Sequence, residues 1–401
     1  MALPEARAGA VLREWPPAEA GGSPRVRILH LNAGNLYGGV ESFLATLANS
    51  RELCPGMEPH FAFCYQGRSS REIEASGAAV HLLGPARISR PWTVWRARRR
   101  LRKLLRAERF DLVVCHMEWT LAVFGSVLRA AGHQVTLWVH GFQAERHWLE
   151  QLARRKHPDL VIANSRFTAA EVPARYPNTP VSVIYCAVAP PADREQLQDW
   201  RRAVRAARGA DENATVILQV GRLEPWKGHR ATLQALSQLK TTRPWACWIA
   251  GGPQNAEQQQ YLAGLREMAN QLGIANRVRF LGQSSEVPRL MAAADIFCQP
   301  NQGPEPFGLV FVEALWAGLP VVTSALGGAL EIVDESCGRL VKPGDSGELA
   351  EALDALIESS SLRARLAASG PERARILCDP AAQMQKLREL ILAETHAGVK
   401  A

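Results

Sequence analysis

QPNQGPEPFGLVFVEALWAG, residues 299–318, sets Glu305 and Glu313 eight residues apart, where a polar loop gives way to an apolar run of helical length. A helix is expected to begin near Gly308. Proline is tolerated in a helix's first turn, and the unpaired N–H groups of that turn, with the positive end of the dipole, make a seat for phosphate or sugar hydroxyls. Glu305 falls at the mouth of that seat and Glu313 about two turns into the helix on roughly the same side. Both carboxylates could therefore accept hydrogen bonds from one hydroxyl-rich ligand. Spacing alone also fits a surface glutamate beside a helix start and one exposed helical glutamate, so the rest of the chain has to decide.

Upstream of this stretch the chain alternates short apolar runs with helical patterns or loops. VRILHLN (26–32) ends in a glycine loop with Gly38 and Gly39, and VESFLATLA then follows at helical period. Strand-like runs recur at 60–65, 78–83, 111–116, 134–140, 160–165 and 181–185. A looser segment, APPADREQLQDW (189–200), interrupts them and reads as a linker. The alternation restarts at 215–221, 247–252, 278–282, 294–300, 319–324 and 338–343, and two amphipathic helices are expected over 346–369 and 380–395. This pattern describes two α/β domains, each a parallel sheet wrapped by helices. Ligands in such sheets sit beyond the carboxyl ends of the strands. Gly38-Gly39, Gly221, Gly251-Gly252, Gly282 and Gly327-Gly328 all fall there, which points to one elongated ligand between the domains. GRLEPWKG (221–228) adds Arg222 and Lys227 between a strand and a helix, a pairing of fork and point charge suited to a diphosphate.

Composition sets limits. The 401 residues are 47% hydrophobic and 21% charged, an ordinary globular balance for about two domains. No apolar run approaches the ~18 residues of a membrane span. Residues 1–24 carry no apolar core of a signal peptide and read as a flexible tail, so a cytoplasmic location is expected. The eight cysteines lack C-x-x-C spacing and are expected to be buried free thiols, with no metal site. The net charge of +8 is uneven: residues 1–190 hold 24 basic and 15 acidic residues, residues 191–401 hold 23 and 24. RARRRLRKLLRAER (96–109), preceded by Trp92 and Trp95, reads as an amphipathic basic helix. It fits either a packed helix with a solvated basic face or a contact, through 92–109, with an anionic membrane surface or an anionic substrate. No nucleic-acid recognition module is visible.

With these residues in place the chain resembles the retaining glycosyltransferases of the GT-B fold, family 4, also called glycosyl transferases group 1. The likeness runs from Val26 to Leu392. It is carried by EPFGLVFVEALWAGLPVV (305–322), G-R and K-G at 221–228, A-G-G-P at 250–253, F-L-G at 280–282, G-G-x-x-E-I-V at 327–333, GGVE at 38–41, VHG at 139–141 and N-S-x-F-T at 164–168. CAVAP (186–190) departs from the family's usual N-G-V-D type turn, and the NQGP loop (301–304) is longer than the simplest family version.

The resemblance implies two Rossmann-like parallel-sheet domains facing each other across a cleft: 25–190 on the acceptor side, 191–375 for the nucleotide sugar, and a terminal helix over 376–401 packing back toward the first. It implies transfer of a hexose-type sugar from a nucleotide-diphosphate donor, a UDP-sugar in preference to a GDP-sugar, to a glycan or lipid-linked acceptor, without metal or other cofactor. Catalytic positions are then Glu305, His140, Arg222 and Lys227. Donor-binding positions are Gly38, Gly39, Arg222, Lys227, Gly251, Leu281, Phe307, Gly308, Leu309 and Glu313, with Glu313 on the ribose. The alternatives are a catalytically silent nucleotide-sugar-binding protein, or an epimerase or phosphorylase on the same architecture.

Overall fold

The computed structural model describes residues 25–34, 38–142, 148–191 and 197–399. The tail read over 1–24 lies outside them, as does the 192–196 part of the linker. The chain divides into two units. One takes in everything up to Ala189 together with Cys378 onward, and the other spans Pro190–Leu377.

The first unit is built on β1 (Val26–Asn32), β2 (Met57–Phe63), β3 (Ala79–Leu82), β4 (Leu112–His116), β5 (Thr136–Val139), β6 (Leu160–Ala163) and β7 (Val181–Val183). They form one sheet in the order β3-β2-β1-β4-β5-β6-β7, parallel throughout. The second unit repeats the plan with β8 (Thr215–Val220), β9 (Trp245–Ala250), β10 (Val278–Gly282), β11 (Ile296–Gln299), β12 (Val321–Ser324) and β13 (Gly338–Val341), ordered β10-β9-β8-β11-β12-β13 and again parallel. Helices cover both faces of such sheets, so the strands read as continuous apolar runs: LVVCH, LVIA and VVTS are buried at every position. In each sheet the strand order reverses once, between β1 and β4 and between β8 and β11, and loops leaving these strands line a ready-made crevice.

Most strand bounds shift by a few residues from the sequence reading, and two elements depart further. The strand expected over 60–65 begins at Met57 and includes Pro59. Pairing with β3 starts only opposite His60, so the proline faces no residue of β3. The helix expected over 346–369 ends at Glu358, and a second helix runs Ser360–Cys378 straight through Pro371. Ser359 starts it, its Oγ accepting the Leu362 N–H at 3.1 Å. The last helix, Pro380–Val399, joins the first unit: Arg388 Nε donates to the Gly56 carbonyl at 3.2 Å and Gln134 Nε2 to Glu394 at 2.9 Å. All eight cysteines are free and buried.

The first unit also buries His30 and His116 completely. Burial pushes the His30 imidazole from 6.5 down to about 3, and His116 well below 6.5. Below pH 6.5 the unfolded chain therefore binds protons that the folded unit refuses, so stability is full above that pH and falls as the pH drops toward about 3. Each such imidazole contributes a slope of about 1.4 kcal/mol per pH unit. The melting temperature should fall steeply from pH 6.5 to 4.5, above the range where most carboxylates titrate. A flat profile across that window would show that these rings accept protons in the folded state.

Candidate functional site

In the second unit the loops leaving β8 and β11 meet, with the Gln302 N–H donating to the Trp226 carbonyl at 2.7 Å. A single 3-10 turn over Pro225–Lys227 turns Lys227 inward, where only 9% of the residue is exposed. Its Nζ lies 2.6 Å from Glu305 Oε2 and 4.0 Å from the centre of the Trp226 ring. Asn301 Nδ2 donates to the same Glu305 oxygen at 3.0 Å. Two donors thus hold one oxygen of Glu305, and among the described residues Oε1 has no partner. Gln219 Nε2, from β8, donates to the Lys227 carbonyl at 2.9 Å and fixes the turn from beneath.

Glu305–Gly308 is loop, and the helix runs Leu309–Trp316 behind Gly308, as the sequence suggests. Gly308 sits at φ 107°, where a Cβ would come within 2.4 Å of the Phe311 ring. Glu313 is the fifth helical residue, only a little over one turn in. Its carboxyl has no partner among the described residues, and burial pushes its pKa up. Phe307 is buried and Leu309 half-buried. Gly327 and Gly328 are buried too, and they serve as a pad for this loop: the Gly328 N–H donates to the Glu305 carbonyl at 2.7 Å. A Cβ on Gly328 would approach Phe307 Cα to 2.7 Å. That pair, expected at a ligand-side turn, is used for backbone packing. Gly251 bonds Gly282 at 2.9 Å, and Leu281 occupies the break in register between β10 and β9 beside it.

Arg222 has a partner within its own motif. Its side chain is 59% exposed and its guanidinium lies 2.9 Å from Glu224 Oε1. Glu224 Oε2 accepts from the Trp226 indole at 2.8 Å. The two cations of GRLEPWKG are therefore each matched by a carboxylate. Glu224 and Asn301 were missed in the sequence reading. Glu224 sits inside the quoted motif, and Asn301 four residues before Glu305, but neither position carries a periodic signal.

In the first unit Gly38 and Gly39 stand at the start of the helix Gly39–Asn49. The Gly38 N–H is already taken by Glu41 Oε2 at 3.0 Å, while Glu41 Oε1 accepts from Asn32 at 2.9 Å. Glu41 of GGVE is thus a strut between β1 and the helix, and the Gly38 amide has a partner before any anion arrives. His140, just past β5, accepts or donates through Nε2 to His116 Nδ1 at 2.9 Å, and burial pushes its pKa to about 3. It is neutral throughout the physiological range.

Among the described residues one group has metal-like spacing: His60, His81 and Glu108, on β2, β3 and at the end of the helix Pro91–Ala107. Arg27 Nη2 lies 3.0 Å from His60 Nε2 and donates to Glu108 at 2.8 Å, so a cationic side chain already satisfies this group.

The family described as "Glycosyl transferases group 1" matches residues 201–373, and "Glycosyltransferase Family 4" matches 37–190. The chain belongs to this family of GT-B glycosyltransferases. Among curated relatives, a phosphatidyl-myo-inositol mannosyltransferase of Mycobacterium leprae is 38% identical over 163 residues, 40% of this chain and 41% of the relative. A D-inositol 3-phosphate glycosyltransferase of a Nocardioides species is 33% identical over 234 residues, 54% of this chain and 50% of the relative. The matched segments thus span half or less of those proteins. Among solved structures, Anabaena HepE in complex with UDP and glucose superposes with a TM-score of 0.77 at 25% identity, over 92% of this chain and 100% of that one.

Lys227 and Glu305 have side chains only 11% and 14% exposed, so breaking the pair strands a desolvated charge. Lys227→Met should cost about 3 kcal/mol in urea unfolding. Adding Glu305→Gln should recover at least about 1 kcal/mol of it. Strict additivity of the two substitutions would show that the charges are well solvated.

Proposed function

We propose that the chain is a retaining hexosyltransferase that uses a UDP-sugar and needs no metal. The observation carrying this is the pairing of Lys227 and Asn301 on one oxygen of Glu305, which leaves the other oxygen and the unpartnered Glu313 carboxylate to meet a hydroxyl-rich ligand. Lys227 and Arg222 direct N–H donors at the diphosphate, and the first turn behind Gly308 adds main-chain donors. Glu305 Oε1 takes the sugar's hydroxyls, Glu313 the ribose, and His140 a sugar hydroxyl. In the transfer the bond from the anomeric carbon to phosphate oxygen breaks, its electron pair leaving with UDP. The acceptor oxygen bonds that carbon from the same face, and its proton passes to the departing phosphate. The UDP and glucose held by the Anabaena relative support the choice of base.

The acceptor is a lipid-linked or other membrane-borne glycan, and the protein works peripherally at the cytoplasmic membrane surface. Support comes from the helix Pro91–Ala107, which exposes Trp92 and Trp95 at 57% and 56% of their surfaces among arginines. Beside Trp95, a groove of about 320 Å³ is lined by Val94, Arg98, Arg102, Ala122 and Leu152. No helix among the described residues is long and apolar enough to cross a membrane.

UDP at a hundred times its Kd should stabilise the protein by about 2.7 kcal/mol in a thermal melt. The shift should survive EDTA and shrink in Arg222→Ala, and the product of a UDP-hexose should keep its anomeric configuration by NMR. Binding of UDP without turnover on any acceptor would leave a silent nucleotide-sugar binder; no shift with UDP, GDP or ADP would remove the donor assignment. For the membrane contact, charge reversal belongs at Arg99, Arg102 and Lys103. Arg98 donates to the Val123 carbonyl at 2.6 Å and Arg100 to that of Leu83 at 3.1 Å, so reversing them would disturb the fold. The triple variant should lose binding to vesicles containing anionic lipid; equal binding would sink the idea.

A further inference from the structure

Three histidines lie in a diagonal file across the first sheet. His30 is on β1 opposite Val114, His116 ends β4 two residues further along, and His140 follows β5 two residues beyond Trp138, the partner of His116. Each ring therefore points to the same face as the last, stepped toward the carboxyl edge. His30 Nδ1 and His116 Nε2 are 2.9 Å apart, and His116 Nδ1 and His140 Nε2 are also 2.9 Å apart. Phe43 closes over the file, its ring 5.6 Å from that of His140 and 6.3 Å from that of His116. The backbone is held in place to achieve this. Met117, directly after His116, has φ 67°, rare for a side chain of this size, and Thr120 Oγ1 donates to the carbonyls of both His116 and Met117.

A neutral imidazole has one donor nitrogen and one acceptor, so the two bonds share a direction. Either every ring donates toward His30, leaving His30 Nε2 a protonated nitrogen, or every ring donates toward His140, leaving His30 Nε2 a bare lone pair. His30 Nε2 is buried and has no partner. Buried N–H groups without a partner are rarer than acceptors without one. The indole N–H of Trp138, a donor only, is also buried and unpartnered, its ring 6.4 Å from that of His30. Protonating His30 Nε2 would add a second unmet donor to that wall.

We propose that His30 and His116 are positioning residues that lock His140 in the tautomer protonated at Nδ1, so that it meets the substrate as a hydrogen-bond donor and not as a base. All three rings are neutral, with His30 and His140 pushed down to about 3, so no imidazolium interrupts the direction. This rests on the reading of His140 as a sugar-facing residue only for its consequence in catalysis; the tautomer itself is a property of the unliganded protein.

The test is 15N NMR of the histidine-labelled full chain at neutral pH, with His140 assigned from the His140→Gln spectrum. Nδ1 of His140 should appear protonated and Nε2 unprotonated; the opposite assignment overturns the proposal whether or not the protein turns over. In His116→Phe, His140 should relax to the Nε2-protonated form, and kcat should fall at least about tenfold, roughly 1.4 kcal/mol, with the donor KM within about twofold. A His116→Phe protein that keeps the Nδ1-protonated tautomer also overturns it. If the tautomer is as expected but no sugar is transferred by the wild type, the proposed function fails and the locked imidazole stands.

Discussion

The contact between Lys227 and Glu305 is the constraint on which the second unit's site depends. An ammonium and a carboxylate largely withdrawn from water are held there only because each is satisfied from several sides: the ammonium by the carboxylate and the Trp226 ring, the carboxylate by Lys227 and Asn301. Everything local follows from keeping those partners in register. The 3-10 turn places the lysine, the buried Gly327-Gly328 pad places the glutamate, and the meeting of the two loops at Gln302 and Trp226 ties one to the other. The pair is a poor source of net stability, as buried ion pairs generally are, but it leaves one carboxylate oxygen without a partner among the described residues.

The same sheet topology carries different chemistry in the first unit. There β1, the end of β4 and the residue after β5 bring together neutral rings, with His116 and His140 stacked on one another and on Trp138, where His116 lies 5.5 Å from the indole at an interplanar angle of 21°. A parallel sheet with a fixed strand order aligns its carboxyl ends, and whatever side chains occupy matching positions are forced into contact. In one unit that produces ion pairing between loops; in the other it produces a file of imidazoles on the strands themselves.

Much of this was legible from residues alone, because parallel sheets buried on both faces announce themselves as repeated apolar runs, and because Glu305, Phe307, Gly308 and Lys227 fall in motifs with a physical reason for each residue type. What was not legible depends on partners distant in sequence. The file of His30, His116 and His140 spans 110 residues and appears only once β1, β4 and β5 are known to be neighbours. VRILHLN, DLVVCH and QVTLWVH each carry a histidine at or near the strand's end, a signal that strand order alone could turn into a contact. Glu224 and Asn301 were hidden for another reason: a polar residue in a loop has no period to betray whether it faces solvent or a charge. Gly327-Gly328 is ambiguous in the opposite sense, since a glycine pair after a strand fits backbone packing as well as it fits a ligand.

The pairing of charges also separates the two electrostatic regimes of the molecule. At the site Arg222 and Lys227 are offset by Glu224 and Glu305, so these four side chains together carry no surplus of positive charge. Their N–H groups are directed at carboxylates, and a short contact such as that of Lys227, in a partly desolvated setting, is little affected by salt. The excess charge of the first half resides instead on the helix Pro91–Ala107, where Arg96, Arg99, Arg102, Lys103 and Arg106 are exposed and no carboxylate stands among them. Charges of that kind act at a distance and are strongly screened. Under the proposed function, recognition of the small ligand by geometry and attraction to an anionic surface by net charge would fall to different residues, and substitutions that tune one would leave the other untouched.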